Sequence, residues 1–184
     1  GTFTWFSGRG RGSRSILFTK EDKMNWIVFR TDASDLIGSG HVIRCRSLAK
    51  ELQRRGASVL FICREHKGNH ISTLENEFHT IRLEALPMAK DERVCGNSKS
   101  GREQYETWLG VSQAEDASNC LSEISETTID LIDWVVVDHY GLDKEWEEIM
   151  RRGLEDYGRP KFVAIDDLAD RHHNTEILLD QNYY

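Results

Sequence analysis

The chain has 184 residues, 39% of them hydrophobic and 30% charged, and a formal net charge of −7. That length suits one domain with a single sizeable core, and the composition excludes a chain disordered throughout. The acidic balance argues against a primary nucleic-acid binder and weakly against anionic membrane surfaces, and no apolar run approaches the about 20 residues of a transmembrane helix.

Residues 1–23 differ from the rest of the chain. They hold five Lys/Arg against two acidic residues, a net of +3, so residues 24–184 carry −10. Four of the 14 glycines lie here and hydrophobic periodicity is poor. The segment reads as a basic, Gly-rich leader, disordered or non-native, with Met24 as the expected natural start. Its Ile16-Leu17-Phe18 run is too short for a secretory signal. The domain is then expected over 24–184.

From Met24 the pattern alternates strand and helix. Trp26–Phe29 predicts a buried strand. A Gly-containing loop over 36–40 precedes a helix from Val42 to Arg55, with Val42, Leu48, Ala49 and Leu52 on its apolar face and Gly56 as its stop. Val59–Cys63 predicts the second strand, Ile71–Glu77 a short helix and Thr80–Leu83 the third strand. Residues 84–103 read as a long loop. Ser112–Glu126 predicts a helix, Trp134–Val137 a strand, Lys144–Arg152 a helix, Phe162–Ile165 a strand and Ile177–Leu179 a last one. Short β-branched runs alternating with helices imply an α/β fold, a Rossmann-like parallel sheet with helices on both faces.

Such sheets place ligands at the carboxyl ends of their strands. Polar residues crowd that edge: Arg30-Thr31-Asp32, Arg64-Glu65-His66, Asp138-His139-Tyr140 and Asp166-Asp167. Gly38-Ser39-Gly40-His41 marks the loop-to-helix junction, either a tight turn or a phosphate cradle at a helix N-terminus. It is not a dinucleotide fingerprint, because Ile43 stands where the third glycine would be, and no Gly-Lys-Ser/Thr makes it a Walker loop. His41 at a positive helix end is expected to be mostly neutral and able to take a proton from water. Asp138 and the Asp166-Asp167 pair either bind ligand or cap turns. His172-His173 lacks further ligands at zinc spacing, so no metal is expected. Cysteines 45, 63, 95 and 120 form no CxxC pair and suggest reduced thiols in a cytoplasmic protein.

Taken in order, Phe29-Arg30-Thr31-Asp32-Ala33-Ser34, Ile37-Gly38-Ser39-Gly40-His41-Val42, Arg44-Cys45, Phe61-Ile62-Cys63-Arg64, Trp108-Leu109-Gly110, Val137-Asp138-His139-Tyr140, Ile165-Asp166-Asp167-Leu168-Ala169-Asp170 and Leu178-Leu179-Asp180-Gln181-Asn182 resemble a known family. This family is the UDP-2,4-diacetamido-2,4,6-trideoxy-β-L-altropyranose hydrolases of pseudaminic acid biosynthesis, and the resemblance covers about residues 25–182. It implies a GT-B-type architecture of which this chain is the N-terminal half, without the C-terminal domain that carries most of the uridine diphosphate site. It also implies hydrolysis of the anomeric C–O bond of a UDP-sugar with inversion, no cofactor and no metal. The family's catalytic His falls on His41 and its active-site Tyr on Tyr140. Substrate contacts are expected from Arg30, Asp32, Gly38, Ser39, Gly40, Asp138, His139 and Asp167.

In this reading the partners are the UDP-activated diacetamido-trideoxy sugar and water, with neither nucleic acid nor membrane. Asp32 orients His41 or the sugar, Tyr140 holds water or the sugar, and Arg30 and Arg44 stay unassigned between site and ion pair. The competing expectations are a GT-B glycosyltransferase half, with an acceptor in place of water, and a non-catalytic domain that docks a separate C-terminal half.

Overall fold

The computed structural model describes residues 26–85, 105 and 107–182. The leader expected over 1–23, most of the predicted 84–103 loop and Cys95 lie outside these residues. Within them the chain runs β1 (Trp26–Thr31), α1 (Gly40–Arg54), β2 (Ser58–Arg64), α2 (Ile71–Glu75), β3 (His79–Leu83), α3 (Gln113–Ser125), β4 (Ile132–Asp138), α4 (Lys144–Gly153), β5 (Lys161–Ile165) and β6 (Ile177–Leu179).

The strands form one sheet in the order β3-β2-β1-β4-β5-β6, every pair parallel. This is the expected Rossmann-like α/β fold. The order reverses between β1 and β4, opening a crevice at the carboxyl edge where such sheets take ligands.

Strand alternation explains the two cores. Ile27 and Phe29 face one side with Val42, Cys45 and Ala49 of α1 and Ile71 and Leu74 of α2. Val28 faces the other with Ala117, Cys120 and Ile124 of α3 and Trp146 and Met150 of α4. Both faces of the central strands are therefore covered, which is why they read as continuous apolar runs.

The helix ends follow local chemistry. The Ser112 hydroxyl accepts from the Glu115 amide at 3.2 Å to start α3, and the Asp143 carboxylate accepts from the Glu145 amide at 2.9 Å to start α4. Glu145 and Glu147 in the first turn of α4, with Arg151 and Arg152 in its last, suit the helix dipole. Helix α1 ends before Gly56, whose φ of +95° turns the chain into β2. It starts two residues earlier than the periodicity predicts, so His41 lies in its first turn. Helix α2 stops two residues short of the expected Glu77, because the Leu74 carbonyl accepts from both Glu77 and Phe78 as the turn tightens.

No helix among the described residues is long and apolar enough to cross a membrane.

Candidate active site

The same alternation that builds the cores also sorts the polar residues at the ends of β1 and β4. Val136 faces α1, so Asp138, two residues on, faces α1 as well. Its carboxylate, fully buried, lies 2.5 Å from Nδ1 of His41. Arg44, one turn further along α1, grips the same carboxylate through Nε and a terminal nitrogen, each at 2.5 Å. Burial works to raise the Asp138 pKa, but hydrogen bonds from Arg44 and His41 outweigh it and hold the carboxyl below its ordinary value.

A terminal nitrogen of Arg44 also lies 3.0 Å from His41 Nδ1. Nδ1 cannot accept from arginine while donating to aspartate. The shorter contact, to an acceptor-only carboxylate, places a proton on Nδ1, and in the base form of the ring Nε2 then carries the lone pair. No described residue hydrogen-bonds Nε2. The arrangement can take a proton at Nε2 while Asp138 steadies the ring.

Tyr140 stands edge-on to the imidazole, ring centroids 4.5 Å apart. Its hydroxyl donates to Asp167 at 2.8 Å, and Arg44 reaches Asp167 at 3.8 Å. Burial first, and then the Asp167 hydrogen bond, push the phenol up to about 12, so it stays protonated. Asp167 also accepts from the Gln181 side chain at 3.1 Å, which folds the Asp180-Gln181-Asn182 stretch back on the site. Tyr105 stacks obliquely on Tyr140 at 5.2 Å and meets Trp108 at 5.0 Å, giving an aromatic wall beside the imidazole. Gly141 permits this, because a Cβ there would lie 2.6 Å from the Tyr105 carbonyl oxygen.

The Gly-x-Gly turn lies where the sequence places it. Gly38 has a φ of +79°, which a residue with a side chain rarely adopts. Gly40 has no such need, and beyond its chain neighbours and its own helix a Cβ on it would meet no atom of the described residues within 4 Å. Both glycines are exposed and Ser39 is half-buried, at the uncapped start of α1.

Three expected substrate contacts are instead part of the foundation. Arg30 faces α3, fully buried, and donates to both carboxylate oxygens of Asp116 at 2.9 and 2.7 Å and to Asp32 at 2.6 Å. Arg64 reaches Asp116 at 2.7 Å, its amide donates to Asp32 at 2.6 Å, and the Trp146 indole donates to Asp116 at 3.1 Å. Two buried arginines thus balance two buried aspartates. Burial opposes ionisation of Asp32, but Arg30 beside it holds its carboxyl well below the usual range. Asp32 does not touch His41; Asp138 takes the orienting place expected of it. His139 accepts at Nδ1 from the Gly141 amide at 2.9 Å, and burial lowers it to about 3, so it is a neutral structural ring. Asp138, expected to bind substrate, is covered by His41 and Arg44.

Arg44, which sequence reasoning leaves unassigned, is brought against His41 and Asp138; its i+3 spacing from His41 is the available signal. Nothing local marks Asp116, which reaches Arg30 across 86 residues. Cys45 donates to Asp138 at 3.4 Å, and burial pushes its thiol well above the ordinary value, so it is no nucleophile. Among the described residues no cluster of His, Cys, Asp and Glu is arranged to hold a metal ion.

No protein-family model matches the chain, and no curated protein is significantly similar to it.

Proposed function

We propose that this domain carries the catalytic base of a hydrolase that, together with a C-terminal domain, cleaves a UDP-2,4-diacetamido-2,4,6-trideoxy sugar at its anomeric C–O bond, releasing UDP with inversion. The observation that carries the reading is the His41–Asp138 pair at the crevice where the strand order reverses, its Nε2 unengaged by any described residue and flanked by Tyr140. The resemblance of the sequence blocks to that hydrolase family supplies the substrate.

UDP is a good leaving group, so the reaction needs a base more than an acid. Positive charge grows at the anomeric carbon as the bond to UDP lengthens. Water approaches from the opposite face, Nε2 of His41 takes its proton, and the imidazolium that forms is stabilised by Asp138. Arg44 keeps Asp138 ionised and in place. Tyr140, a donor to Asp167, offers its oxygen lone pairs to the water or a sugar hydroxyl. The diphosphate lies toward the start of α1, an uncapped helix N-terminus and so one suited to an anion.

Hydrolysis in ¹⁸O-labelled water, by the protein made from its complete reading frame, tests this. The label is expected on the sugar's anomeric hydroxyl, in the inverted anomer. Label on the terminal phosphate of UDP, or no UDP release, would overturn the proposal.

A further inference from the structure

We propose that His173, outside the reacting groups, is a positioning residue: as an imidazolium clamped between Glu147 and Asp166 it straps residues 166–174 to α4 and so holds Tyr140 in place. The link to catalysis rests on the function proposed above; the clamp does not.

The geometry favours a doubly protonated ring. Nδ1 of His173 lies 2.6 Å from Oε1 of Glu147, and Nε2 lies 3.3 Å from Oδ2 of Asp166. A carboxylate only accepts, so a neutral imidazole would face one of them with a lone pair. Glu147 is fully buried on α4, and its other oxygen accepts from the Asn174 amide. The Lys144 amide donates to the His172 carbonyl at 3.0 Å, a second stitch between α4 and the strap. Of the other charges nearby, Arg171 pairs with Asp166 at 2.7 Å, Lys144 and Glu148 of α4 pair with each other at 3.4 Å, and Arg151 of α4 holds the Asn174 carbonyl at 2.9 Å.

The strap carries what Tyr140 needs. Asp167 accepts its hydroxyl, and the Arg171 guanidinium lies over its ring, 5.5 Å from the centroid. Asp166 links clamp and cation, since one oxygen faces His173 and the other Arg171. A neutral His173 keeps its proton on Nδ1 toward Glu147, the shorter contact, and turns a lone pair on Asp166, which loosens the strap at that end. Burial alone would lower the His173 pKa, but the hydrogen bonds to Asp166 and Glu147 prevail and raise it to about 9.

The test uses no substrate, so failure of the hydrolase reading leaves its outcome intact. Histidine ring ¹⁵N shifts and Tyr140 ring shifts are followed together against pH, in the wild type and in Glu147→Gln. The wild-type His173 ring should carry protons on both nitrogens through pH 8. The Tyr140 ring and the amides of 167–172 should shift with the His173 midpoint, near 9, while β1 and β4 amides do not. In Glu147→Gln that midpoint should fall by at least one pH unit and the strap transition should move with it. A neutral His173 at pH 7, or a strap transition that stays put when the midpoint moves, would overturn the proposal. Should Glu147→Gln not fold, the wild-type titration alone decides: a Tyr140 ring that does not respond to His173 deprotonation refutes the clamp.

Discussion

His41 and Asp138 are 97 residues apart in sequence and 2.5 Å apart in space, the imidazole from the first turn of α1 and the carboxylate from the last position of β4. Parallel pairing of β1 with β4 creates this contact. It sets Thr31 beside Asp138, and the loop leaving Thr31 delivers α1 directly over the end of β4. Replacing Asp138 with Asn should keep the fold but lose the fixed tautomer. Ring ¹⁵N shifts should show protonated Nδ1 in the wild type and a tautomer mixture in Asp138→Asn, with turnover down roughly 10⁴-fold, the scale seen when an orienting aspartate is lost from a triad. An unchanged tautomer would remove Asp138 from its orienting role.

Asp116 is the anchor of the foundation. It is fully buried and receives Arg30, Arg64 and the Trp146 indole. Asp116→Ala leaves Arg30 with Asp32 as its one carboxylate and Arg64 with none, and breaking such a buried network typically costs about 3–5 kcal/mol. Urea unfolding should show that loss; a change under about 1 kcal/mol would mean that the arginines find other partners.

Two histidines give stability a maximum near neutrality. His139 is held down to about 3 by burial, so below its unfolded value of about 6.5 the unfolded chain binds a proton that the folded one refuses, and stability falls with falling pH. His173 is raised to about 9, despite burial, by its two carboxylates, so its contribution is complete below about 6.5 and is lost as pH rises through 9. The depressed pKa values of Asp32, Asp116 and Asp138, where charge partners and hydrogen bonds outweigh burial, add a steeper loss once pH drops below about 4. Denaturation midpoints against pH should peak near 6.5, and His173→Gln should flatten the alkaline side alone.

Tyr140 is a neutral phenol over the ordinary pH range. Burial and the Asp167 hydrogen bond put its pKa at about 12, so tyrosinate absorbance from this residue should be absent below pH 11. Asp167→Asn should bring the value down by removing the acceptor charge. Tyr140→Phe, which loses the hydroxyl but keeps the ring against His41, should cut turnover with little change in stability, about 1 kcal/mol for one hydrogen bond.

Much of the fold is legible in the sequence because it is local. The strands β1, β2, β4 and β5 are apolar runs bounded by polar residues, and the carboxyl-edge rule directs attention to His41, Asp138, Tyr140 and Asp167. The partnerships are not legible, since they depend on which face each strand presents. Arg30 and Asp138 both follow apolar runs, yet alternation sends Arg30 down to Asp116 and Asp138 across to α1. Asp32, at the same carboxyl edge, is expected to orient His41 or the sugar, but it turns inward to Arg30 and the Arg64 amide. His172-His173 suggests zinc and lacks ligands; His173 instead meets two carboxylates, one of them on a helix 26 residues earlier.

The most direct test of the dyad as the base is kcat for UDP-sugar hydrolysis by His41→Leu, which keeps the bulk against Tyr140 and removes both nitrogens. Loss of a positioned base typically costs 10²–10⁴-fold. A fall of at least about 10²-fold with unchanged unfolding midpoint is the expected result; a variant that keeps wild-type kcat would contradict the role of His41 as the group that deprotonates the attacking water.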